Sequence, residues 1–219
     1  MDKFLRKIST LLVYLFLICN SILVLGPVIW TIMASFKKGN NLFSSTFSGI
    51  EFTFDHYITL FTDTPYMQWY LNTFILATAN MLISLIVVTM TAYVFSRYRF
   101  RGKRNTLMSI LVLQMFPAFL SMTAIYILLS KANLIDTYTG LLLVYVTGSL
   151  PFMTWLVKGY FDAIPTSLDE AAKIDGAGHL TIFIQIILPL AKPILVFVGL
   201  VSFTGPWMDF ILPTLVLRS

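Results

Sequence analysis

Glu170-Ala171-Ala172, three further residues, Gly176, nine residues, Ile186, one residue and Leu188-Pro189 make up the stretch of this chain best suited to contact chemistry. A carboxylate stands beside two side chains of minimal bulk, so another surface could approach the backbone closely. Ser167 is placed as a helix N-cap, Glu170 three residues on can close a capping box, and Asp169 adds negative charge at the positive helix end. Gly176 suits a residue of positive φ just past the end of that helix. His179 to Ile187 reads as a second short helix ended by Pro189, because the residue before a proline is pushed out of helical geometry. The expected product is a helix-turn-helix elbow shaped to be gripped by another protein.

Reactive constellations are otherwise scarce. The one Gly-Lys pair, Gly102-Lys103, is followed by Arg104 and has no upstream glycine at phosphate-loop spacing, so the chain carries no nucleotide-hydrolysing loop of that type. His56 and His179 fall on opposite sides of the expected membrane arrangement and neither has a ligand-spaced partner, so both read as surface histidines without a metal role. Ser149 follows Gly148 but lacks the second glycine of a nucleophile elbow. The polar residues inside apolar runs are almost all neutral: Asn20, Asn72, Asn80, Thr89, Thr91, Gln114, Thr123 and Thr147, with Asp209 the one acid. Proton relays and voltage sensors need intramembrane charge, so both classes are disfavoured. Amides and hydroxyls suit a neutral, hydroxyl-bearing substrate, and Asn72, Asn80, Gln114 and Thr123 are the candidates to line its path. The same groups also hold helices together, and both roles stay open here.

The elements that must position these residues follow from composition. Of 219 residues, 58% are hydrophobic and 11% charged, far from the roughly 25% charge of soluble domains. At roughly 20 apolar residues per span, the runs near 10–34, 68–95, 106–130, 138–157 and 192–217 give five transmembrane segments in an all-α bundle. The first run exceeds a signal-peptide core of about 7–15 residues and shows no cleavage site, so it reads as a retained span. Eleven of the 15 Lys and Arg residues fall at the N-terminus, in the cluster Arg97 to Arg104, or at Lys158, Lys173 and Lys192. The positive-inside rule therefore puts the N-terminus and the elbow in the cytoplasm and the loop from Lys37 to Met67 outside. The Arg97 to Arg104 cluster reads as a stop-transfer signal, and the net charge of +5 needs no nucleic acid, since basic residues already serve orientation and anionic lipid. Pro117 and Gly205-Pro206 predict kinked or broken third and fifth spans. The single cysteine, Cys19, excludes an intrachain disulfide. Residues 1–219 read as a single transmembrane domain, with 158–191 as a cytoplasmic loop inside it.

The elbow spacing resembles the signature loop of ABC importer permeases. The approach Pro151 to Pro165, together with Ala92 to Phe100, Gln114-Met115-Phe116-Pro117, Leu134-Ile135-Asp136-Thr137 and Trp207 to Pro213, is similar to the second permease of maltose and maltodextrin transporters. Met208 stands where that pattern usually has Asn. The resemblance implies a non-catalytic permease subunit with no cofactor of its own, ATP being bound and hydrolysed by partners. It also implies a second, non-identical permease, two ATP-binding subunits and an extracellular sugar-binding protein. It assigns ATPase coupling to Glu170, Ala171, Ala172, Asp175, Gly176, Ile186, Leu188 and Pro189, with Glu170 meeting a basic residue of the ATPase. Such permeases have a sixth span, which is expected to lie beyond Ser219. The competing function class is a passive channel or secondary transporter in which the elbow only orders the bundle.

Overall fold

The structure is a computed structural model that describes residues 2–39 and 52–217. Asn40, Asn41, Phe43, Ser44, Ser45, Phe47 and Gly49 of the expected outer loop lie outside the described residues. The contacts divide the chain into two units, Met1–Trp69 and Tyr70–Ser219. In the first unit, α1 (Asp2–Ser35) is a 34-residue helix whose Arg6–Ser35 portion is apolar enough to cross a membrane, with none of its most apolar window buried. A helix that is hydrophobic on every side needs lipid or a partner around it. Its polar groups are satisfied within the helix: Thr10, Asn20 and Thr31 donate to the carbonyls of Arg6, Phe16 and Pro27, four residues back. The stretch read as an outer loop contains a helix, α2 (Asp55–Thr62). The Thr53 hydroxyl caps the Asp55 amide at 3.0 Å, and Phe36 packs on Phe54 and Tyr57. This local order was hidden by the polar composition.

The second unit begins in the second turn of α3 (Tyr66–Arg97) and continues with α4 (Lys103–Gln114), α5 (Ala118–Lys131) and α6 (Tyr138–Asp162). After α6 come α7 (Thr166–Ile174) and α8 (His179–Ile182), a π turn (Phe183–Ile187), α9 (Leu188–Leu190), α10 (Lys192–Met208) and α11 (Ile211–Val216). No strand occurs among the described residues. Among the described residues three helices, α1, α3 and α6, are long and apolar enough to cross a membrane, and the number reaches five if each of two bent pairs is one span. The expected span 106–130 is broken at Pro117 into α4 and α5, bent by 106°. The expected span 192–217 stops at Met208, where Asp209 turns extended (ψ 125°) and accepts the Ile211 and Leu212 amides on Oδ1, so that a short helix restarts. The second bend, 82°, lies between Leu190 and Lys192, where the elbow joins α10.

Along α3 the buried set Ala77, Asn80, Ser84, Val88 and Ala92 recurs every three or four residues, a stripe of small side chains that lets a neighbouring backbone come close. Gly199 of α10 fits there, with Met81 and Leu85 at ordinary contact distance from where its Cβ would lie. Asn80 Nδ2 donates to the Ser202 carbonyl at 2.7 Å. Pro206, four residues after Ser202, has no N–H to offer that carbonyl, so the amide of α3 replaces the bond that the proline removes. Two apolar clusters hold the unit. One joins Val88, Ala92 and Tyr93 of α3 and Val157 and Phe161 of α6 to Ile182, Phe183 and Ile187. The other joins Leu76, Leu129, Leu141, Leu212 and Val216. In the second cluster Thr137 caps α6 by accepting the Gly140 amide, and a Cβ on Gly140 would lie 2.2 Å from the Leu134 carbonyl oxygen, so only glycine fits.

Candidate functional site

The elbow forms, with corrections at both ends. Its first helix starts at Thr166 with Pro165 in the N-cap position, so Ser167 is not the cap and no side chain caps this end. Pro165, at φ −57°, already sets the chain for entry into a helix, and its carbonyl accepts the Leu168 amide. Glu170 therefore sits at the fifth helical position, beyond reach of a capping box, and is exposed without a hydrogen-bond or ion-pair partner among the described residues. The helix closes as expected: Gly176 has φ +84°, its amide bonds the Lys173 carbonyl, and the Ala177 amide bonds the Ala172 carbonyl. This is the paired pattern that a left-handed glycine completes.

Pro189 does not end the second helix, which runs to Leu190. The π turn carries the Leu188 amide to the Phe183 carbonyl, five residues back. That shift in register lets the helical path pass a residue with no N–H, and the break falls at Ala191 instead. The two alanines part company: Ala171 is exposed, whereas Ala172 is half-buried against the elbow's own core. Ile186 and Leu188 are likewise half-buried against that core, with Ile187 between them fully buried, while Asp175 and Pro189 are exposed. Removing Ile182 and Ile187 from water contributes about 1.5–3 kcal/mol each, enough to hold the elbow in one pose. The elbow also exposes Leu168, Ile174, Leu180 and Ile184, with Ile174 at 87%. Sequence reading missed these exposed apolar side chains because Ile174 falls in the unspecified spacer between Ala172 and Gly176. Exposed large apolar side chains on a segment that also carries an exposed carboxylate are typical of a surface that another protein covers.

Beneath the elbow lies an ion pair that charge counting gave no reason to expect. Arg97 Nε stands 2.6 Å from Asp169 Oδ2, both side chains 8% exposed. Arg97 Nη1 donates to the Phe161 carbonyl and Nη2 to the Ile164 carbonyl, each at 3.0 Å. Ser96 Oγ donates to Asp162 Oδ1 at 2.7 Å, and Lys158 pairs with the same Asp162. The residue read as a stop-transfer charge thus closes the last turn of α6, and the residue read as a helix-end charge faces inward.

A cavity of about 830 Å³ opens between α3, α4, α5, α6 and α10. Asn80, Gln114, Ser121, Tyr145, Thr147, Ser149, Ser202 and Asp209 supply its polar groups, set among Phe116, Met122, Ile125 and Val144. Of the four expected pathway residues it brings together Asn80 and Gln114. Asn72 lines a separate cavity of about 270 Å³ with Tyr138 and Thr139. Thr123 is exposed and lines neither. Asn80 is committed to the Ser202 carbonyl and to the Ser84 hydroxyl, which leaves Gln114 as the amide open to a ligand. The Ser202 hydroxyl is buried at the cavity wall without a hydrogen-bond partner among the described residues, whereas the Tyr145 hydroxyl lies beside the Asp209 carboxylate. Unsatisfied hydroxyls of this kind await a hydrogen-bonding ligand or water. Among the described residues no three His, Cys, Asp or Glu side chains gather as metal ligands, and His179 instead lies on the Tyr98 ring at 5.3 Å.

Residues 90–219 match the family described as the binding-protein-dependent transport system inner membrane component. The maltodextrin transport system permease protein MdxG of Bacillus subtilis (strain 168) is 42% identical over 98% of this chain and 77% of its own length. The galactooligosaccharides transport system permease protein GanQ of the same organism is 43% identical over 98% of this chain and 77% of its own. The crystal structure of a bacterial ABC transporter involved in import of the acidic polysaccharide alginate matches with a TM-score of 0.86. At 26% identity, that match covers 97% of this chain and 75% of the other.

Proposed function

From a chain that belongs to the binding-protein-dependent transport system inner membrane component family, we propose a permease subunit that moves carbohydrate and is driven through its elbow by a separate ATPase. The N-terminus and elbow face the cytoplasm, in keeping with the distribution of Lys and Arg. A second, non-identical permease completes the pathway, two ATP-binding subunits engage from the cytoplasm, and an extracellular sugar-binding protein delivers substrate. The observation that carries this reading is the elbow: Glu170 and Ala171 are exposed on a segment that also exposes Leu168, Ile174, Leu180 and Ile184, while Asp169, Ile182 and Ile187 are buried. A partner gripping such a rigid projection can move the helices behind it. For transport to follow, ATP must bind one conformation of the assembly more tightly than the other. The cavity supports a neutral, hydroxyl-rich cargo, for it offers amide and hydroxyl groups and its one acid, Asp209, is engaged as a helix cap. Similar relatives serve maltodextrin and galactooligosaccharides, and an oligosaccharide is the common class. The test is Glu170→Arg and Gly176→Pro in the assembled transporter. Loss of ATPase co-purification and of sugar uptake is expected, and survival of both in either variant contradicts the coupling role.

A further inference from the structure

We infer that the Arg97–Asp169 pair is the positioning link that delivers movement of the elbow to α3 and so to the cavity wall. The inference rests on the coupling reading of the elbow and adds the route inside this chain. Asp169 and Glu170 are neighbours on α7, one turned inward and the other outward, so a load on the outer face displaces the inner carboxylate directly. That carboxylate meets the last residue of α3. From there about 26 Å of continuous helix, at about 1.5 Å per residue, leads back to Asn80, which holds the Ser202 carbonyl of α10 beside the cavity. α3 is thus a strut with a polar fastening at each end.

The chain itself ties the elbow only to α6 and α10. Toward α3 the remaining contacts of the elbow are mostly apolar, through Val88, Ala92 and Tyr93, and apolar surfaces can slide. A guanidinium fork cannot slide without breaking bonds of fixed direction. Arg97 donates from both terminal nitrogens to the Phe161 and Ile164 carbonyls, and so fixed it stands in ion-pair contact with Asp169 through Nε, without hydrogen-bond geometry there. A lysine has no planar fork to match them. The pair is also a poor device for stability alone. Burying two charges costs several kcal/mol per ion, and a well-packed apolar pair often does as well. Arg97 Nε and Asp169 Oδ1 are moreover both buried with no hydrogen-bond partner among the described residues, so the site is not optimised for satisfaction. A charge attraction between the elbow and α3, with Arg97 held in place by the Phe161 and Ile164 carbonyls, accounts for keeping charge there.

The experiment uses the complete importer with its ATPase and binding protein in proteoliposomes, carrying Asp169→Asn, Arg97→Lys or both. The readouts are ATPase retention on purification and sugar transported per ATP hydrolysed. Retained ATPase is expected, with transport per ATP lowered about tenfold in each single variant, a usual size for coupling between sites. The double variant should be no worse than either single one, because the pair is one link. Unchanged transport per ATP in assembled Asp169→Asn importer overturns the link. So does failure of that near-isosteric variant to assemble, which would assign the pair to folding. Glu170→Arg prepared alongside reports on the parent reading separately: if it keeps its ATPase, docking is misassigned, whatever the Asp169 result.

Discussion

Replacing Asn80 with leucine should destabilise the bundle through the proline on the neighbouring helix. Asn80 is 3% exposed and its amide donates at 2.7 Å to a carbonyl that Pro206 cannot serve. Interhelical hydrogen bonds in membrane proteins contribute about 0.6 kcal/mol on average and up to about 1.7. A buried carbonyl left without a donor costs about 1–3 kcal/mol. Asn80→Leu keeps the bulk and removes the donor, so the loss should be about 1–3 kcal/mol. Pro206→Ala restores an N–H in line with the Ser202 carbonyl, and in that background the leucine should cost only about 0.5 kcal/mol or less. The double-mutant cycle in lipid–detergent micelles, followed by loss of helical circular dichroism, should therefore give a coupling energy of about 1–2 kcal/mol. Additivity within about 0.5 kcal/mol would mean that the two residues do not share the carbonyl, and the account of the proline would be wrong.

Other expectations are simpler. Gly140→Ala drives a methyl group to 2.2 Å from a backbone oxygen, so it should lower stability by about 1–3 kcal/mol, readable in the same unfolding assay. Gly176→Ala meets no atoms, but its φ of +84° costs an L-residue about 1–2 kcal/mol. That cost should appear as faster proteolysis confined to the elbow, with the global transition little moved. Ile187→Ala empties a fully buried site and should cost about 2–5 kcal/mol, loosening the elbow from α3 and α6. Gln114→Ala at the cavity should raise the sugar concentration needed for half-maximal transport while leaving ATPase co-purification intact.

Legibility in the sequence followed the range of the physics. Pro117 breaks a helix by local chemistry, Gly176 takes a left-handed φ for local reasons, and apolar run lengths mark three unbroken spans. Each of these can be read from a short window. The elbow's first residue could not, because Pro165 and the Arg97 bond to the Ile164 carbonyl set the entry and displaced the expected cap at Ser167. Nor could the partnership of Arg97 with Asp169, since each charge had a sufficient local explanation and only packing brings them together. Asn72 and Thr123 show the same limit: a polar residue in an apolar run signals a need for a partner, but helix rotation decides whether it faces the cavity.

Coupling of ATP use to carbohydrate movement through the elbow is what the proposed function requires of this subunit. It is tested most directly by reconstituting the importer in proteoliposomes with ATP inside and sugar-loaded binding protein outside, then measuring sugar entry. Entry should require both ATP and binding protein and be lost with Glu170→Arg. Sugar flux that persists without ATP would contradict this coupling and point to a passive pathway.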